Sequence, residues 1–236
     1  MNKNVEEYHK FKNGEIRMPE HLKPKKELKS RIYKSDFIER ITRTPIWVPQ
    51  IMWLAISFFF FWYAIAKTSI SIEQIALLGL SGFITWTLME YLVHRFLYHT
   101  ETNSEAFLKL QFNSHGIHHQ YPKDPERLAM PPLPGIILAS AFFGIFWSIM
   151  GVPFVFAFFP GFMLGYLCYI TMHYYQHVVK SPRYKPWKKL WTHHKAHHYS
   201  NPYAAYGVST RLWDWLFNTM PKKSAENIHA RKLSRQ

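Results

Sequence analysis

HHKAHHYSNPYAAYGVSTRLWDWLF, residues 193–217, opens with four histidines in six positions: His193, His194, His197 and His198. On a helix, His194, His197 and His198 fall at i, i+3 and i+4, so three imidazoles share one face. Working outward, the same spacing recurs in HGIHH, at His115, His118 and His119. HYYQH places His173 and His177 one helical turn apart, and HRFLYH adds His94 and His99. Of the 14 histidines in the chain, only His9, His21 and His229 lie outside these clusters. A single HxxxH pair reads as readily as two unrelated histidines on one helix face. Four clusters in one chain do not. Imidazole is the commonest protein ligand for metals, so the pattern points to a histidine-rich metal centre.

The 236 residues fit one domain of ordinary size. The hydrophobic residues, 48% of the chain, gather in four blocks: about 46–66, 72–93, 133–150 and 152–172. Each reaches or nearly reaches the roughly 20 residues that a membrane-crossing helix needs. An all-α integral membrane protein with four transmembrane helices is therefore expected. Gly151 and Pro153 join the last two blocks in a tight hairpin, and the short third block leaves a re-entrant hairpin open. Pro49, Pro153 and Pro160 are expected to kink or end helices. The single cysteine, Cys168, excludes an intrachain disulfide and a thiolate zinc site. The first 45 residues are polar and show no apolar core of a cleaved signal.

The formal charge is +14, and its distribution sets an orientation. Lys and Arg number 12 before the first block, four between the second and third, and 12 after the fourth. Only Lys67 separates the first two blocks, and no basic residue separates the last two. By the positive-inside rule both termini and the 94–132 loop are cytosolic. Residues 1–44 read as a solvated cytosolic segment and 45–236 as the membrane domain, whose helical cap comprises 94–132 and 173–220. Every histidine cluster then falls on the cytosolic face. Anionic lipid accounts for the basic excess, and no nucleic-acid partner is expected.

Ten imidazoles are too many for one ion. Zinc usually takes four ligands and iron or manganese up to about six, so two metals with roughly five nitrogens each are expected. Neutral ligands leave such a centre strongly positive and able to accept dioxygen. A site facing hydrocarbon needs redox metal chemistry to attack C–H bonds.

HRFLYH, HGIHH, HYYQH and HHKAHH resemble the histidine boxes of the membrane fatty acid hydroxylase superfamily. More narrowly, EYLVHRFLYHT, HGIHHQYPKDPERLAMPPLP, GYLCYITMHYYQH and the 193–214 stretch resemble fatty acid 2-hydroxylase, over about Ile72 to Met220. The resemblance implies four membrane helices, a cytosolic cap holding a dimetal site, and O2-dependent hydroxylation at C2 of a fatty acyl chain. Iron is expected for activity, with zinc in purified protein. By matching position the ligands are His94, His99, His115, His118, His119, His173, His177, His194, His197 and His198, with no catalytic group beyond them. His193 has no counterpart and is read as a supporting or surface residue.

Two departures stand out. Many relatives carry a haem-binding cytochrome b5 domain, and this chain has no HPGG motif, so the resemblance implies a separate electron donor of ferredoxin or cytochrome b5 type. The family often has Asp after the tyrosine of the YxxxH segment, where this chain has Ile170 after Tyr169. Asp124 and Arg127 are read as holding either ligand histidines or a loop. Tyr169, Tyr174 and Tyr175 are read as mouth-lining or interfacial, and Asn201 as a ligand partner or turn cap. Trp213, Asp214 and Trp215 are read as docking the tail, and Glu90 as a histidine partner at the membrane edge. Membrane lipids surround the chain, and a bacterial inner membrane is expected ahead of the endoplasmic reticulum. The alternatives are carotenoid or sterol oxidation, or a membrane metal-binding or transport protein. Transport needs ionisable residues inside the spans, and the first, third and fourth blocks have none.

Overall fold

From Trp47 to Lys67 the chain carries no charge before its last residue, and its one proline sits in the first turn, where a missing N–H is harmless. In the computed structural model, which describes residues 23–221, this run is a single helix. The elements in order are α1 (Asp36–Ile41), α2 (Trp47–Lys67), α3 (Ile72–Leu92), α4 (Glu105–Gln111), α5 (Ile117–Gln120), α6 (Pro132–Met150), α7 (Val155–Val178), α8 (Lys185–Tyr199) and α9 (Leu212–Leu216). Two π-helical turns, Val93–Tyr98 and Phe112–Gly116, and a 3-10 turn, Pro125–Arg127, complete the set. The described residues contain no strand.

Four helical runs are long and apolar enough to cross a membrane: Trp47–Lys67, Ile72–Tyr98, Pro125–Met150 and Val155–Val178. The last runs six residues past the expected end at Met172, because Tyr174, Tyr175 and Gln176 are less apolar but not helix-breaking. Gly151 ends α6 with φ +67°, a conformation glycine adopts freely, and its N–H bonds Trp147 O at 2.8 Å. Helix α6 alone spans about 28 Å at 1.5 Å per residue, enough to cross rather than only dip in.

The chain divides into two compact units, residues 33–90 with 125–174 and residues 23–32 with 91–124 and 175–221. The division passes inside α3 and inside α7.

The first of these is the apolar bundle. Its core is aromatic: Trp53, Phe146, Phe158, Phe159, Phe162 and Tyr166 are buried together with Met163 and Ile170. Helix α7 is its inner helix, with 61% of its apolar window buried against 17–28% for the other three. Small residues let α3 and α7 approach at backbone distance. A Cβ on Gly161 would lie 1.9 Å from Gly79 O, and one on Gly82 would lie 2.1 Å from Phe158 O. Gln50 Nε2 donates to Thr171 Oγ1 at 3.0 Å, satisfying a polar pair among apolar neighbours.

Residues 33–44 were expected to be solvated, but Glu39 and Thr44 are buried. Arg127 accounts for Glu39: it donates to Thr42 O and Oγ1 at 3.0 Å each and pairs with the Glu39 carboxylate, while Thr44 N donates to Glu126 O at 2.9 Å. A buried charge needs such partners, so Arg127 holds the loop ahead of α6. Residues 1–22, part of the same expected segment, lie outside the described residues.

Backbone contact at the glycines sets a test. Gly82→Ala and Gly161→Ala each lose about 1–3 kcal/mol from overpacking and lower the unfolding temperature in detergent. Gly144→Ala, with nothing within 4 Å of the added carbon, leaves it unchanged or slightly raised.

Candidate metal centre

The HRFLYH spacing does not suit an α-helix. At 3.6 residues per turn, positions i and i+5 point roughly 140° apart. Val93–Tyr98 is instead wound as a π-helix, whose wider turn pairs i with i+5, and His99 caps it. His94 and His99 therefore face one side. A second π turn, Phe112–Gly116, carries His115 into α5, which carries His118 and His119. Helix α8 supplies His194, His197 and His198, all of them buried.

These histidines form two groups of five. One is His94, His99, His115, His119 and His197; the other is His118, His173, His177, His194 and His198. Within each group the ligand-capable atoms all lie within 4.8 Å of one another. His173 joins its group from one turn before His177 on the unbroken α7. The expectation of one face per box gives way to an exchange. HGIHH sends its i, i+4 pair to the first group and His118 to the second. HKAHH sends its i, i+4 pair to the second group and His197 to the first. The groups abut where His119 and His198 stack with ring centroids 4.1 Å apart.

Backbone carbonyls fix the ring orientations. His94 Nδ1 donates to Tyr206 O at 2.5 Å and His197 Nδ1 to Ala204 O at 2.8 Å. His173 Nδ1 donates to Leu128 O at 3.3 Å. A carbonyl only accepts, so each Nδ1 carries the hydrogen and each Nε2 turns a lone pair inward. There the Nε2 atoms crowd: His94 to His115 is 3.0 Å, His119 to His115 2.8 Å, and His197 to His119 3.1 Å. In the other group His118 to His198 is 3.0 Å and His177 to His194 2.7 Å. His99 Nε2 and His198 Nδ1 are buried with no hydrogen-bond partner. Converging lone pairs and unpartnered buried nitrogens fit a divalent first-row metal in each group. Burial, and after it the neighbouring histidines, holds His99, His115, His197 and His198 well below the ordinary imidazole range. They are neutral, as ligands must be.

Asp214 anchors the loop that supplies two of the carbonyls. It is fully buried and accepts from Tyr206 N at 2.9 Å, Gly207 N at 2.7 Å, Thr219 Oγ1 at 2.7 Å and His193 Nε2 at 2.9 Å. Burial pushes its carboxyl up, but the His193 bond and charge, with Thr219 and Gly207, outweigh that and hold it below the usual range. Ala205, with φ +61°, lies between the two carbonyls. Tyr98 stacks flat on His115 at 4.7 Å and Tyr169 on His173 at 5.6 Å.

The remaining expected residues sort as follows. His193 lies outside both groups. Asp124 accepts from Ser30 N and Oγ at 2.7 and 2.9 Å and so tethers residue 30. Asn201 Oδ1 accepts from Tyr203 N at 2.9 Å, an Asx turn. Of Trp213, Asp214 and Trp215, read together as docking the tail, only Asp214 is buried, and Trp215 is 70% exposed. An acid with four donors can be sealed in, whereas the adjacent indole on this short helix points outward. Glu90 is buried in the helical bundle, Tyr174 is half-buried and Tyr175 exposed. Ile170 sits in the apolar core, and the Leu128 carbonyl orients His173 without an acid there. The carbonyls of Ala204 and Tyr206 and the stacking of Tyr98 were not readable from residue types. Asp214 had a signal, as the only acid between Glu126 and Glu226.

An all-helical chain with four membrane-length helices and two five-histidine groups defines a histidine-rich membrane protein equipped to hold metal. Comparison with known proteins narrows the class: the Fatty acid hydroxylase family matches residues 79–219, and the chain belongs to that family. It is 32% identical over 215 residues to a fatty acid 2-hydroxylase of Rattus norvegicus, covering 83% of this chain and 58% of the relative. It is 34% identical over 193 residues to the dihydroceramide fatty acyl 2-hydroxylase FAH2 of Arabidopsis thaliana, covering 81% of this chain and 80% of the relative. A solved structure described as full-length scs7p, with only its hydroxylase domain visible, superposes with a TM-score of 0.73 at 32% identity, covering 78% of this chain and 70% of that one. The chain thus spans somewhat less than two thirds of the mammalian relative. The relatives are animal, plant and fungal proteins, and nothing among them supports the bacterial inner membrane expected above.

The neutral histidines predict a pH response in metal-stripped protein. Their folded values lie below 6.5 and their unfolded values near it, so between the two the unfolded chain binds more protons. Stability is complete above about pH 6.5 and falls as the pH drops below it, by up to about 1.4 kcal/mol per pH unit for each such histidine. Thermal unfolding in detergent at pH 8 and pH 5.5 reads this directly.

Proposed function

We propose that this protein hydroxylates a fatty acyl chain at C2, using O2 and two metal ions held by the ten histidines. The observation that carries the reading is the pair of buried five-nitrogen groups in a chain of the fatty acid hydroxylase family. The balance is one C–H bond and O2 converted, with two electrons and two protons, to C–OH and water. Bound iron supplies the dioxygen activation, and zinc would fill the same nitrogens without that redox chemistry. The electrons come from a donor protein of ferredoxin or cytochrome b5 class.

The chain's own residues do the rest. The histidines present lone pairs in fixed directions, and the carbonyls of Ala204, Tyr206 and Leu128 keep three of them in the ligating tautomer. Relatives named as acting on ceramide or dihydroceramide acyl groups favour an amide-linked acyl chain. The charge distribution supports a cytosolic site: His94 and His99 stand at the end of the second span and His177 at the end of the fourth, on the side rich in Lys and Arg. An acyl chain left in the bilayer offers its head-group end, and hence C2, to a site at that surface.

Expression in a host without 2-hydroxy fatty acids, together with a ferredoxin or cytochrome b5 system, tests the reaction. Hydrolysed total lipids gain 2-hydroxy acids by mass spectrometry, and the His194→Ala, His198→Ala double variant abolishes them. Hydroxylated carotenoid or sterol in place of 2-hydroxy acids would overturn the substrate assignment. Metal content gives a separate check. Wild type carries two ions per chain, and either His99→Ala with His119→Ala or His177→Ala with His198→Ala leaves about one. Loss of both ions from either pair would contradict two separable sites.

A further inference from the structure

The peptide between Tyr206 and Gly207 is bonded at both ends to charged or ligating side chains. Its C=O accepts from His94 Nδ1 at 2.5 Å, and its N–H donates to Asp214 Oδ2 at 2.7 Å. Carboxylate, peptide and imidazole thus form one chain of hydrogen bonds, with His94 Nε2 at its far end among the first five histidines. Hydrogen bonds in such a chain polarise one another. Negative charge at Asp214 draws the peptide N–H, enriches the peptide oxygen, and through it strengthens the hold on the His94 Nδ1 hydrogen. Electron density is thereby pushed toward Nε2. A carboxylate bonded directly to a ligating histidine raises its donor strength in this way, and here one peptide group is interposed.

The arrangement favours this function over simple packing of the loop. Asp214 Oδ1 also takes Tyr206 N at 2.9 Å, so both amides flanking Tyr206 are aimed at one carboxylate. Gly207 permits the approach: a Cβ there would lie 2.9 Å from Asp214 Oδ2 and 2.0 Å from Thr210 O. The neighbouring carbonyl, Ala204 O, holds His197 of the same group. Thr219 Oγ1 and His193 Nε2 complete the carboxylate's shell without reaching either histidine group. None of the four bonds of the Asp214 carboxylate leads to His118, His177, His194 or His198, so the relay is one-sided.

We propose that Asp214 is a positioning residue for one metal only: through the Tyr206–Gly207 peptide it tunes His94 and strengthens ion binding by His94, His99, His115, His119 and His197. This rests on the reading of the two histidine groups as metal sites. It also makes the two ions unequal in their dependence on Asp214.

The test is competitive removal of Zn2+ by a chelator from full-length protein in detergent, with Co2+ substitution as a spectroscopic readout. In Asp214→Asn, which keeps shape and removes charge, one of two Zn2+ ions is released about 10- to 100-fold more readily and the other as in wild type. Combined with His177→Ala and His198→Ala, the variant retains only the weakened ion. Combined with His99→Ala and His119→Ala, it retains only the unaltered one. The Co2+ absorption changes for one ion and not the other. Thr219→Val removes one donor but leaves charge and peptide bond in place, and it weakens neither ion by more than a few-fold. Equal weakening of both ions in Asp214→Asn would show a general structural role and overturn the relay, as would unchanged affinity of both. Wild-type protein that takes up no Zn2+ would instead overturn the metal reading beneath it.

Discussion

Neutral imidazoles buried with their lone pairs converging are the constraint on which the rest depends. Each such nitrogen has left water for a place where its nearest neighbours are other acceptors. An unsatisfied buried polar atom costs about 1–3 kcal/mol, so nitrogens such as His99 Nε2 gathered in this way need compensation. The compensation acts at the opposite nitrogen. Carbonyls at Tyr206, Ala204 and Leu128 take the Nδ1 hydrogens, which fixes both ring plane and tautomer. A cation held in each group would convert mutual repulsion at the inner edge into attraction. Rigid backbone is therefore as much a part of the site as the histidines are.

That rigidity comes from two kinds of support. The 204–208 loop is irregular, and it is held by a buried carboxylate and a residue in the left-handed region. The other support is helical. His94 continues α3 without a break, and His173 and His177 belong to α7. In the apolar bundle these same two helices meet at backbone distance through glycines. Helices so closely packed have little freedom to roll, and a roll of one helix would turn its histidines with it.

Much of this was legible in residue types and spacing. Four apolar blocks and the placement of Lys and Arg were enough for the helices, because length and composition alone decide whether a segment crosses a bilayer. Ten histidines were recognisable because clustering survives any folding of the loops between them. Their partition was not legible: HGIHH and HKAHH look alike, yet each divides its members in the opposite sense, and only the relative rotation of α5 and α8 determines which. The carbonyls of Ala204 and Tyr206 left no trace, since every residue has one. Asp214 was visible as an isolated acid but was grouped with two tryptophans whose surroundings differ from its own. Polar residues at 39 and 44 read as solvated because their partners, the Arg127 guanidinium and the Glu126 carbonyl, lie far along the chain.

The π turn at Val93–Tyr98 is a helix carrying surplus chain, and this has a consequence for how the sequence is free to vary. In an apolar span, gaining or losing a residue is absorbed by a change of tilt. Between His94 and His99 the change is taken up by winding instead. Deleting one residue would restore ordinary α-helical winding and set the two histidines at i and i+4, still on one side. The connection to α4 would keep its facing, because the lost residue is the one that widens the turn. The number of residues between these two histidines is thus tied to the geometry of a widened turn.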